Sequence, residues 1–210
     1  MSSPIEWGAD PTLIDGYALT AAEAVVRLLL PPRTADGEPT TWQAVAAAVE
    51  WPEPLDGYVS WHHLAELPGS GGLADRAIFE HPAGRVSEET VTAVAVALRT
   101  VQADRSWVQD GLDDTAVAVA LTPADQPLSV AQEIPATHRS GTFAQVAANW
   151  ARRGFTGRAW TETGPVGVAA PPYADSLIIS GPLKLRDVLL ASELEVQPVT
   201  RKAHLPITTE

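Results

Sequence analysis

The sequence predicts an α+β fold: a helical N-terminal half followed by a mostly antiparallel sheet with one or two helices. Three observations predict it. Apolar residues recur at three- and four-residue intervals in the first hundred positions, and short β-branched runs dominate the second hundred. Those runs follow one another too closely for regular crossover helices, which favours antiparallel pairing. The expected organisation is an acidic helical subdomain over residues 1–103 and an α+β subdomain over 104–210, with one continuous domain as the alternative.

The first predicted helix begins at Thr20, carries Ala21, Ala22, Val25, Val26 and Leu29 at helical spacing, and stops at Pro31-Pro32. Thr40 or Thr41 caps a second, with Trp42, Val45, Ala46 and Val49 on one face and Pro52 beyond its end. A shorter helix follows over Ser60–Leu67, and the PGSGG run of Pro68–Gly72 reads as a hinge or exposed loop. Ser87 before Glu88-Glu89 is a helix start signal, and the stripe Val91, Val94, Ala95, Leu98, Val101 predicts a helix over 88–102.

Beyond Ala103 the strand candidates are Thr115–Leu121, Ser129–Ile134, Gly157–Thr161, Val166–Ala169, Ser176–Ser180 and Leu194–Val199. One helix interrupts them, capped by Thr142, with Phe143, Val146, Ala147 and Trp150 on its apolar face and its end near Gly154. A weaker periodicity runs from Leu183 to Ala191. The tail after Val199 is expected to fray.

Composition narrows the chemistry. The chain has 210 residues, no Cys and a net charge of −12. Without Cys there is no disulfide framework, Cys-ligated zinc, iron–sulfur cluster or thiol nucleophile. No apolar stretch approaches the roughly 18 residues of a membrane span. The opening MSSPIEWGADP lacks a basic segment followed by an apolar run, so a cytoplasmic protein without a membrane partner is expected. The charge is uneven: twenty acidic and six basic side chains precede Pro135, against six and eight from there on.

That negative half disfavours duplex DNA. Thr40–Leu67 has the helix–loop–helix succession of a DNA reader, but Asp56–Leu67, where a recognition helix would lie, contains no Arg or Lys. Nucleotide and nucleophile signatures are missing as well: the sequence contains no G-x-x-x-x-G-K-[ST], no strand-following G-x-G-x-x-G and no G-x-S-x-G. No cofactor is expected.

Three clusters remain. His62, His63, Glu66 and His81 fall within twenty residues and could ligate a divalent metal for a hydrolase, although no H-E-x-x-H occurs and ordinary helix-surface or interface histidines are the simpler explanation. Arg152, Arg153 and Arg158, interleaved with Trp150, Phe155 and Trp160, form a candidate anion site. The competing reading is a helix C-terminus neutralised by arginines, with the rings in the core. The third cluster is Trp51, Glu53, Asp56, Trp61 and Glu66, aromatic rings among carboxylates, a composition suited to docking a basic protein. Seven Trp against three Phe and three Tyr draws attention to those rings, of which one or two at most are expected to be exposed. Asp113-Asp114 and Glu88-Glu89 are explained by a turn and a helix start. The leading expectation is a non-catalytic acidic protein of the immunity, inhibitor or assembly-factor type. A metal-assisted hydrolase and a structural component of a larger assembly are the alternatives.

Overall fold

The computed structural model describes residues 6–65, 79–80, 82, 86–102, 106–111, 122–123, 137–153, 157–162, 164–171 and 175–205. The expected strands Thr115–Leu121 and Ser129–Ile134, the PGSGG run, Asp113-Asp114, Glu66 and His81 lie outside the described residues.

The architecture is α+β. The strands are β1 (Ala24–Leu29), β2 (Arg33–Thr34), β3 (Phe79–Glu80), β4 (Ser106–Gly111), β5 (Thr122–Pro123), β6 (Thr137–Thr142), β7 (Gly157–Thr161), β8 (Gly167–Ala170), β9 (Ser176–Gly181) and β10 (Val196–Pro198). The helices are α1 (Trp42–Ala48), α2 (Trp61–Ala65), α3 (Glu88–Gln102), α4 (Phe143–Arg153) and α5 (Leu183–Leu190). Among the described residues eight strands form one sheet in the order β10-β1-β9-β8-β7-β4-β6-β5, while β2 and β3 make a separate pair. Every pairing between these strands is antiparallel.

The expected helical N-terminal half is corrected here. Residues 24–29, read from spacing as part of a helix, form β1, hydrogen-bonded between β9 and β10, and the first α-helix begins at Trp42. The physical reason is burial on both faces. From Val25 through Leu30 every residue is buried, Arg27 among them, so apolar residues fall on both faces of the strand and their spacing carries no strand period. The adjacent β-branched Val25 and Val26 then fit the pleat better than a helix.

The alternation of β1 divides the core. Val26 and Leu28 pack with Val94 and Leu98 of α3, Val146 and Trp150 of α4, and Leu185 and Leu189 of α5. On the other face Leu29 joins Trp42, Val45, Trp61 and Leu64 from α1 and α2, and Val25 meets Ile14 and Leu205. The sheet is therefore covered on both sides, by three helices on one and by α1, α2 and the terminal segments on the other.

Helix starts follow the sequence closely. The Ser87 hydroxyl accepts from the Thr90 N–H at 3.1 Å, and Thr41 accepts from Ala44 at 3.1 Å. Thr142 and Gln145 close a reciprocal box: the Gln145 N–H donates to the Thr142 hydroxyl at 3.3 Å and the Thr142 N–H to Gln145 Oε1 at 2.8 Å. The tail does not fray at Val199. Ile14 donates to Ala203 and Leu205 to Thr12, and the Arg201 guanidinium bonds Asp15 and the carbonyls of Leu19 and Ala22.

Glu195, just before β10, receives the first N–H groups of α1, from Trp42 at 2.9 Å and Gln43 at 3.3 Å. Burial pushes its carboxyl above the usual value of 4.5, with the two N–H donors opposing that shift. A carboxyl with a raised folded-state value stabilises the fold fully below 4.5, and that contribution is lost as pH rises through the shifted value. Glu195→Gln should therefore flatten the fall in thermal midpoint as pH rises above 4.5. Midpoints of both proteins measured across that window check it, and parallel curves would contradict it.

Candidate functional site

The segment from Glu50 to Ser60, joining α1 to α2, brings together more of the expected docking residues than any other described part of the chain. Its entry is a helix C-terminus of the Schellman type: the Trp51 N–H returns to the Ala46 carbonyl at 2.9 Å and the Glu50 N–H to Ala47 at 3.2 Å. Glu50 occupies the position after the cap with φ 55°, the one positive value at a non-glycine residue among those described. Glycine is the usual occupant there, and a side chain in that region is strained. A carboxylate at the negative end of a helix is unfavourable a second time. The sequence therefore places an acid where local physics favours its absence.

Beyond Glu50 the chain stays on the surface while anchored from beneath. Trp51 and Leu55 are half-buried against the cluster of Trp42, Val45 and Leu64. Glu53 and Asp56 are exposed. One Asp56 oxygen accepts the N–H groups of Tyr58 at 2.8 Å and Val59 at 3.2 Å, which shapes the turn. Tyr58 is 38% exposed, and its hydroxyl meets Thr200. At Gly57 a methyl group would overlap Val199 and the Pro198 carbonyl, so the loop lies directly against β10. Sequence reasoning passed over Tyr58, whose exposure depends on the turn that Asp56 builds.

The anchor is a buried ion pair. Arg27 of β1 is 0% exposed and Asp175, preceding β9, is 2% exposed, with Nη2 and Oδ1 2.6 Å apart. Arg27 Nη1 donates to the carbonyls of Gly57 at 3.0 Å and Val59 at 2.6 Å, and Nε donates to Ser176 Oγ at 2.8 Å. The second Asp175 oxygen accepts the Trp61 N–H at 2.9 Å. Neither residue was singled out from sequence. The available signal was a lone charge inside the apolar run Val25–Leu30, which the interior accepts only when paired.

Trp61 requires a correction as a docking ring. It is 8% exposed and stacks edge-on against Trp42 at 5.9 Å, supporting the loop from below. Trp7, Trp42, Trp107, Trp150 and Trp160 are buried as well, leaving Trp51 as the half-exposed indole of the seven. Aromatic area pays for core formation here more than for display.

The histidines do not converge among the described residues. His63 closes the start of α2: its Nδ1 accepts the Ser60 N–H and its own N–H donates to Ser60 Oγ, both at 3.2 Å. His62 beside it is half-buried. Glu66 and His81 lie outside the described residues, and among the described ones no group of three His, Cys, Asp or Glu could hold a metal. Of the expected anion site, Arg152 and Arg153 end α4. Arg158 is buried in β7, its guanidinium 5.2 Å from the Trp7 ring centre and 5.7 Å from that of Tyr17, and it donates to the Gly16 carbonyl at 2.9 Å. Its place is structural, joining the sheet to the N-terminal segment.

Exposed charge on the first part of the chain is of one sign. From Glu6 to Ala65, every exposed Asp, Glu, Lys or Arg is acidic. The two arginines of that stretch are the buried Arg27 and the half-buried Arg33, which bonds the Gly37 carbonyl at 2.6 Å. No helix among the described residues is long and apolar enough to cross a membrane. No family model, curated protein or solved structure matches the chain.

Proposed function

We propose that the protein is a non-catalytic binding protein, of the immunity, inhibitor or assembly-factor type, that docks a basic protein partner in the cytoplasm through the loop Glu50–Tyr58. The observation that carries this reading is Glu50. A carboxylate held at positive φ at a helix C-terminus opposes stability on two counts, and strain of this kind is retained where a site needs it. Glu53 and Asp56 extend the negative charge, while Trp51 and Tyr58 offer apolar area beside it. Complementary charge speeds encounter, and rigid rings hold the complex once formed.

Glu50→Gly separates this reading from a purely structural one. The variant should be more stable by about 0.5–1 kcal/mol, read as a higher urea midpoint. It should also associate more slowly with the partner recovered by co-purification, with the difference shrinking as salt is raised. A stabilised variant that associates at the wild-type rate at low salt would overturn the reading.

A further inference from the structure

The geometry assigns Arg27 and Asp175 a positioning role: the buried pair fixes the main chain of Gly57–Trp61, and thereby the shape of the acidic loop. Its consequence for docking rests on the function proposed above.

On the sheet side Arg27 reaches Ser176 and Asp175. Across the gap the pair's partners among the described residues are main-chain groups: the carbonyls of Gly57 and Val59 on the guanidinium, and the Trp61 N–H on the carboxylate. A planar fork and a two-oxygen acceptor thus specify three backbone groups within five residues. Stability does not explain the choice, because desolvating two charges consumes most of what their attraction supplies. Apolar side chains of similar volume commonly hold a core as well or better. Such side chains cannot orient two carbonyls and an N–H, and that is what this pair adds. The loop it orients carries Asp56 and Tyr58 outward on the same turn.

The test uses the full chain and the paired replacement Arg27→Met/Asp175→Leu, which removes both charges together. Hydrogen exchange should show amides of β1 and β9 as protected as in wild type, while the Tyr58–Trp61 amides exchange at least about tenfold faster. Loss confined to the loop is the signature of positioning; equal loss across the sheet, or none anywhere, overturns it. If the double variant does not fold, Arg27→Lys supplies the same contrast, since one ammonium cannot satisfy all four acceptors. A deca-arginine peptide tests the docking consequence separately. The double variant should bind it several-fold more weakly than wild type at low salt, and equal affinity overturns that consequence. A wild-type chain that ignores the peptide defeats the docking reading, while the exchange pattern still decides the positioning role.

Discussion

Removing one partner of the buried pair, by Asp175→Ala, is expected to lower the unfolding free energy by about 3–5 kcal/mol. The change leaves the Arg27 guanidinium, which has no solvent exposure, without its counter-charge. It also deprives the Trp61 N–H of its acceptor and Ser176 Oγ of a partner 3.1 Å away. Each buried group left without a partner adds a desolvation penalty. Against a typical total of roughly 5–15 kcal/mol the loss is a large fraction. A urea denaturation curve reads it as a lower midpoint with unchanged slope. A loss below about 1 kcal/mol would mean that the pair behaves like an exposed one and is wetted in solution. The contrast with the paired apolar replacement matters most: one deletion strands a charge, whereas removing both charges does not.

Trp42→Ala should cost a similar amount, about 3–5 kcal/mol, through a different mechanism. The indole is fully buried between β1 and α2, meets Trp61 edge-on, and donates from Nε1 to the Leu30 carbonyl at 2.8 Å. Its removal empties the centre of the cluster against which Trp51 and Leu55 lie, so the loop should loosen as the fold weakens. Trp42→Phe retains most of the volume and should recover more than half of the loss, leaving the Leu30 carbonyl unpaired. A thermal or urea series over the two variants checks the order, and equal stability of the Ala and Phe variants would contradict it.

The parts of the fold legible in the sequence are those whose signals are local. Ser87 and Glu88-Glu89 mark α3, and Thr142 marks α4 by a hydroxyl that bonds the third residue on. Strands β7, β8 and β9 are short apolar runs bounded by Gly or Pro, and each lies within a residue or two of its expected place. The failure at β1 has one cause. A strand covered on both faces loses its alternation, and Ala21, Ala22, Val25, Val26 and Leu29 then satisfy a helical template by coincidence. Strands β4 and β6 are absent from the expected set because Ser106–Gly111 and Thr137–Thr142 are too polar to read as strands.

The site divides in the same way. Glu53, Asp56 and the half-exposed Trp51 were legible as an acidic, aromatic stretch between two helices. Glu50 was not, because its significance lies in a backbone angle that no composition reveals. Arg27 and Asp175 were not, because nearly 150 residues separate two groups whose meaning exists only when the sheet brings them together. Trp61 was assigned to the surface on composition, while its neighbour Trp42 draws it inward.

In the proposed docking mode the loop Glu50–Tyr58 meets a basic partner through charge and two rings. Hydrogen exchange of the full chain, with and without the co-purified partner, tests it most directly, repeated at low and moderate salt. The expected result is protection gathered on residues 50–58 that is lost as ionic strength rises. Protection confined to α3 and α5, or a footprint indifferent to salt, would contradict it.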